Sequence, residues 1–280
     1  MPSFKFKQVD VFTDRPLLGN PLAVVLGADG LSDARMAAFA RWTNLSETTF
    51  LLEPTDPRAD YRVRIFTTLS ELPFAGHPTL GSCHAWLESG ETPKGEEIVQ
   101  ECGIGLVRIR RIGGQLAFTA PPLLRAGPVD AGLIERMRQG LRLEQGAILD
   151  ARWVDNGPGW LALRLANRAA VLAIRPDYNK LQGQVLGVFA PWEPQQDGDQ
   201  AQFEVRAFVP GDGMPEDPVT GSLNAGIARW LIEEGLAPDR YIASQGTAMG
   251  REGRVHVQRI GEDIWVGGQT VTCIDGSVTL

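Results

Sequence analysis

Phe74-Ala75-Gly76-His77-Pro78-Thr79-Leu80-Gly81-Ser82 is the stretch from which the fold can be read. Proline in a first helical turn costs little, because that backbone N–H has no intrahelical partner and φ is already near helical. The stretch therefore predicts a helix that opens here and runs to about Glu88, with His77 in the N-cap position. The small residues before His77 leave room for bare backbone to approach a ligand. A helix N-terminus presents unpaired N–H groups and partial positive charge, which suit a carboxylate.

The same pattern returns half a chain later. His77-Pro-Thr-Leu-Gly81-Ser82-Cys-His-Ala85 is matched by Asp217-Pro-Val-Thr-Gly221-Ser222-Leu-Asn-Ala225, with Pro, Gly, Ser and Ala coinciding. The offset equals half of the 280 residues, so an internal duplication is the natural reading. Two similar halves are expected, each with a helix whose N-terminus faces a shared cleft. His77 and Asp217 fall at equivalent cap positions in this alignment.

Composition narrows the function classes. A net charge of -7 with scattered Lys and Arg excludes the concentrated basic surface that nucleic acid or an anionic membrane requires. Neither a signal-peptide core at Met1-Pro-Ser-Phe-Lys-Phe-Lys nor an apolar run of membrane-spanning length is present, and a cytoplasmic protein is expected. Cys83, Cys102 and Cys273 are odd in number and widely spaced, which fits reduced thiols better than a disulfide framework.

Period-two alternation predicts strands at Phe4–Phe12, Tyr61–Phe66 and Phe203–Val209, with a short apolar strand at Leu22–Leu26 after the Leu18-Gly19-Asn20-Pro21 turn. Ser32 caps a predicted helix through Trp42. Asn44 to Leu52 reads as a loop passing into a strand. Residues 98–110 and 115–119 read as one strand pair turned at Gly113-Gly114. Helices are predicted at 130–139, 177–186 and 218–234, strands at 147–154 and 160–165, a polar loop at 195–200, and a hairpin at 254–266. Pro121-Pro122 carries linker chemistry. The expected organisation is α+β, with lobes at 1–122 (residues 269–280 returning to it) and 123–268. Each lobe is a curved, mostly antiparallel sheet around a helix that is apolar on most sides.

Glu47 stands between Leu45 and the Thr-Thr-Phe-Leu-Leu run with no basic residue within five positions. In a closed apolar cleft such a carboxyl could both donate and accept a proton, although a solvated strand-start carboxylate has the same local sequence. Asp217 suffices as an N-cap without a further role; His77 is a poorer cap and so invites a functional one. A metal site is not expected, since His77 and His84 lie about 10 Å apart along one helix and His256 is isolated. Ser222 does not sit in a nucleophile elbow, and no glycine run has phosphate-loop or dinucleotide spacing. Cys102 leads into a strand and reads as a spectator thiol.

Taken in order, Asp10-Val-Phe-Thr, Gly19-Asn-Pro-Leu-Ala-Val-Val25, Asn44-Leu-Ser-Glu47-Thr, Glu71-Leu-Pro-Phe-Ala-Gly-His77-Pro-Thr, Glu216-Asp217-Pro-Val-Thr-Gly-Ser222 and Ser244-Gln-Gly246…Met249-Gly-Arg251 resemble the PhzF-like family of phenazine-biosynthesis isomerases. That family shares the two-lobed fold of diaminopimelate epimerase. The resemblance implies a cofactor-independent proton shift on a small carboxylated, amino- or hydroxy-bearing metabolite, as in isomerisation of trans-2,3-dihydro-3-hydroxyanthranilate. It places the proton carrier at Glu47, assisting groups at His77 and Asp217, and substrate contacts at Ser46, Gly76, Gly221 and Ser222. It implies a homodimer. The epimerase relatives carry a cysteine at each of two helix starts, where this chain has His77 and Asp217. Epimerisation of an amino-acid-like substrate, or metabolite binding without catalysis, are the alternatives on the same fold.

Overall fold

The computed structural model describes residues 2–181, 183–211 and 215–280. The chain divides into two compact units, Met1–Thr119 with Gly267–Leu280, and Ala120–Val266. Helices and strands are mixed throughout, with several parallel strand pairs among antiparallel ones, which is an α+β fold.

In the first unit the order is β1 (Ser3–Val11), β2 (Asn20–Leu26), α1 (Asp33–Thr43), β3 (Thr48–Leu52), β4 (Tyr61–Phe66), β5 (Glu71–Leu72), α2 (Gly76–Glu88), β6 (Ile98–Cys102), β7 (Gly105–Ile112) and β8 (Gln115–Thr119). The second unit contains β9 (Arg125–Pro128), α3 (Ala131–Gly140), β10 (Asp150–Asp155), β11 (Leu161–Arg164), α4 (Arg168–Ala173), α5 (Tyr178–Leu181), β12 (Leu186–Pro191), α6 (Pro194–Asp197), β13 (Phe203–Phe208), β14 (Glu216–Asp217), α7 (Gly221–Glu233), β15 (Arg240–Gln245), β16 (Gly253–Ile260) and β17 (Asp263–Gly268). A final strand, β18 (Thr270–Thr279), pairs antiparallel with β1 in the first unit.

Strand pairing repeats in the same order in both units. β1–β2 is antiparallel, β2–β3 parallel, β3–β4 and β4–β5 antiparallel, β4–β6 parallel and β6–β7 antiparallel. β10–β11 is antiparallel, β11–β12 parallel, β12–β13 and β13–β14 antiparallel, β13–β15 parallel and β15–β16 antiparallel. An extra strand flanks the first of each series: β18 beside β1, and β9 beside β10. Agreement over six successive pairings is far more specific than four matching residues, and it establishes the duplication.

The helical alignment between the halves needs correcting. Ala75 is the N-cap of α2, in extended backbone, so His77 is the second helical residue and Pro78 the third. Proline still falls in the first turn, where its missing N–H costs nothing. In α7 the N-cap is Thr220, and Asp217 lies upstream in β14. His77 and Asp217 are therefore neither caps nor equivalent. Aligned by helix start, Gly76 matches Gly221, His77 matches Ser222, and Gly81 matches Gly226. A Cβ on Gly81 would sit 2.6 Å from a Leu22 methyl, and one on Gly226 would sit 2.3 Å from the Val154 carbonyl oxygen. Close approach of each helix to its first strands is the reason both positions are glycine.

The apolar character of α2 is explained by its neighbours, which are β1, β2, β3, β6, β8 and β18. Beyond it, Phe39, Phe50 and Phe66 pack edge-on in a core beneath α1. Ser32 caps α1 by accepting from the Arg35 N–H, as its sequence predicts.

Other expectations fail for local reasons. The 98–110 run is broken into β6 and β7 at Gly103-Ile104, because Gly105 has φ 101° and Gly103 lies against Pro73 with no room for a Cβ. The helix expected at 177–186 shortens to α5 and gives way to β12; Gln182, within that range, lies outside the described residues. The polar loop at 195–200 opens with the single turn α6. No helix among the described residues is long and apolar enough to cross a membrane.

Candidate active site

Three elements of the first unit bring side chains together. Parallel pairing of β2 with β3 sets Ala23 opposite Thr48, which places the head of β2 and the approach to β3 side by side. Asn20 heads β2 and Glu47 immediately precedes β3. Ser82, in the second turn of α2, donates to Thr49 Oγ1 at 2.9 Å and ties that helix to β3. The first turn of α2 then delivers His77, whose Nε2 lies 3.3 Å from Glu47 Oε2. The Glu47 side chain is 15% exposed and that of His77 4%. Ser46 and Gly76 adjoin these two residues in sequence, Gly76 being buried at the helix start. Local sequence does not join Glu47 to His77; the family resemblance names both, and the fold puts them 3.3 Å apart.

Burial alone pushes the His77 imidazole down to about 3, so the ring is neutral at ordinary pH. Its other nitrogen, Nδ1, lies 3.2 Å from Asn20 Nδ2. In the sequence Asn20 stands in a turn and within the family motif Gly19-Asn-Pro-Leu-Ala-Val-Val25, with no role assigned to it. The available signal was a polar residue between glycine and proline at the head of an apolar strand.

In the second unit, Asp217, Gly221 and Ser222 cluster at the start of α7. Asp217 Oδ2 accepts from Thr220 Oγ1 at 2.5 Å. Gln245, fully buried in β15, donates to Thr220 Oγ1 and to the Asp217 carbonyl, and accepts from the Thr220 N–H and from Asn224. Its amide thereby fixes the rotamer that holds the Asp217 carboxylate. Ser222 Oγ accepts from the Trp160 indole at 2.9 Å, and its carbonyl accepts from Asn156 at 2.8 Å. Gln245 falls within a family motif and Asn156 and Trp160 within a turn and a strand, but none carries a role in sequence, because a buried amide or indole has no local signature of its partner.

Both α2 and α7 begin without a side-chain hydrogen bond at the cap and without an acidic residue in the first turn. Their N-terminal partial charge is not offset from within the helix, which favours an anion. All three thiols are shifted toward their protonated forms. Burial pushes Cys83 up to about 12 and also raises Cys102, and Cys273 is exposed with its thiol raised as well. Among the described residues no group of three or more His, Cys, Asp or Glu could hold a metal ion.

Residues 9–276 match the family described as phenazine biosynthesis-like protein (PhzC-PhzF). The chain belongs to this family. It is 36% identical over 300 residues to antisense-enhancing sequence 1 of Schizosaccharomyces pombe, covering 99% of both chains. It is also 31% identical over 284 residues to the trans-2,3-dihydro-3-hydroxyanthranilate isomerase of Pseudomonas aeruginosa, covering 98% of this chain and 95% of that one. The crystal structure of a PhzF-family protein from Bacillus anthracis superposes with a TM-score of 0.83 at 23% identity, covering 100% of each chain. The PhzF fold thus extends over the whole chain.

Proposed function

We propose that the protein is a cofactor-independent isomerase that moves a proton between two carbons of a small carboxylated metabolite, with Glu47 as the proton carrier. The observation that carries this reading is the Glu47–His77 contact, a largely buried carboxyl 3.3 Å from a neutral imidazole. Glu47 as carboxylate takes a proton from one carbon. The electron pair of the broken C–H bond spreads into the conjugated acid as an enolate-like charge. Glu47, now protonated, returns the proton to a second carbon, and the double bond shifts. One carboxyl closes the cycle, so no external acid or oxidant is consumed.

Asp217 is proposed to assist the transfer, and Ser46, Gly76, Gly221 and Ser222 to contact the substrate. Backbone N–H groups at a helix start stabilise a carboxylate and the charge that grows on it in the transition state. Relatives named trans-2,3-dihydro-3-hydroxyanthranilate isomerase make that amino- and hydroxy-bearing acid the first probe substrate. A homodimer is the proposed assembly.

The test is incubation of the probe in deuterated water. Label should enter at the reacting carbon, and Glu47→Gln should slow entry by about 10²- to 10⁴-fold with binding largely kept. Unchanged turnover in that variant removes Glu47 from the mechanism. Inversion at a carbon with no double-bond shift would instead indicate an epimerase. A second reading is metabolite binding without catalysis on the same fold. On that reading the protein binds a metabolite without turnover, and no label would enter from any acid it binds.

A further inference from the structure

Asn20 takes no part in the proton shift as described, yet it touches the ring that does. The residue is fully buried at the head of β2, and its Nδ2 faces His77 Nδ1 at 3.2 Å. An amide nitrogen only donates, so Nδ1 must accept. A neutral imidazole carries its hydrogen on one nitrogen and a lone pair on the other, and the hydrogen bond at one nitrogen decides the state of its partner. The hydrogen then resides on Nε2, which is the atom 3.3 Å from Glu47 Oε2, close to it but outside hydrogen-bond geometry.

We propose that Asn20 is a positioning residue that holds His77 in the Nε2–H tautomer, so that Glu47 faces a neutral hydrogen-bond donor throughout the reaction. The proposal rests on the reading of Glu47 as proton carrier. The opposite tautomer would set a nitrogen lone pair against the Glu47 carboxylate. An imidazolium would bind that carboxylate as an ion pair and hold it deprotonated. Only the neutral donor steadies the carboxylate while leaving it free to take a proton and return it.

Asn20 itself is tightly placed. The β1–β2 register sets it opposite Val11, and Asp10 Oδ2 accepts from the preceding Gly19 N–H at 3.0 Å. Any Cβ on Gly19 would lie 2.2 Å from the Val11 carbonyl oxygen, so the chain reaches Asn20 by a path only glycine allows. The duplicated half repeats the device with other chemistry. Trp160, immediately before β11, donates to Ser222, the second residue of α7, just as Asn20 at the head of β2 donates to the second residue of α2.

Histidine-selective ¹⁵N labelling tests the proposal, because the chain has 3 histidines and His77→Gln assigns the signal. The expected spectrum near pH 7 has a protonated Nε2 and a bare Nδ1 at His77. Asn20→Asp should transfer the hydrogen to Nδ1, since a carboxylate accepts where the amide donated. Deuterium entry into the probe acid should then fall by roughly tenfold or more with KM little changed, because a wrong tautomer costs turnover and not binding. Asn20→Ala should leave a mixture of tautomers. An Nδ1–H or imidazolium signal in the unaltered protein overturns the proposal, as does a persistent Nε2–H in both variants. Should Asn20→Asp fail to fold, the wild-type spectrum and Asn20→Ala still decide. These spectra need no substrate, so failure of the isomerase reading, seen as exchange that survives Glu47→Gln, is separable from failure of the tautomer assignment.

Discussion

Protonating His77 in the folded protein means charging a group with almost no water around it. The unfolded chain takes up that proton near 6.5, while burial holds the folded imidazole down to about 3. Between those values the unfolded state binds more protons, so stability falls as pH falls through the window and is kept above it. Acidification from pH 7.5 to 5 is therefore expected to cost about 2 kcal/mol through this residue. Denaturant midpoints for wild type and His77→Gln at both pH values check it: the variant should show a shallower decline. Burial also lowers His84 and His256, so the comparison between proteins, and not the wild-type slope alone, isolates His77. The pairing of Glu47 with a histidine was legible only through the family motifs. Nothing in the local sequence of either residue gives the 3.3 Å contact.

The two central helices were visible as elements but not in their internal alignment. Matching Gly81-Ser82 with Gly221-Ser222 compares a second turn with a first, because four shared letters outweighed helix position. Packing gives the other alignment, in which Gly81 and Gly226 do the same work. Gly226→Ala is expected to destabilise by about 3 kcal/mol, since its Cβ would press on the Val154 carbonyl and backbone has little freedom to yield. Gly81→Ala should cost less. Its nearest neighbours are methyl groups of Leu22, Val11 and Val9, which can rotate or shift by a few tenths of an ångström. Chemical denaturation with an unchanged m-value would confirm that stability, and not compactness, has moved. Equal costs at the two sites would contradict the packing account.

At the scale of the molecule, the chain's last strand belongs with its first. β18 pairs along β1 from Ser3↔Thr279 to Val11↔Thr270, and buried Lys7 reaches Asp275 at 2.8 Å and Glu88 at 3.1 Å. Deletion of residues 270–280 would strip one side of β1 and leave an open edge of unpaired backbone N–H and C=O groups, which is a template for aggregation. The shortened chain is expected to lose several kcal/mol of stability and to associate on size exclusion. A monodisperse, equally stable product would show that β18 is dispensable. Pairing across nearly the whole sequence also delays completion of the first unit, because its loop-closure entropy must be met before the contacts form.

Period-two and capping patterns, which are local, were enough to determine β1, α1, β4, α3 and β13 and the α+β class, and the ordered motifs determined the family. The duplication showed as four letters in sequence and as six strand pairings in three dimensions. Only the tertiary structure decided that His77 lies inside its helix, that Asn20 and Gln245 contact the candidate residues, and that Tyr178–Leu181 is a short helix and Leu186–Pro191 a strand. A buried amide acts through partners set by strand pairing and helix packing. Those partners lie far away along the chain, so no local window of sequence encodes them.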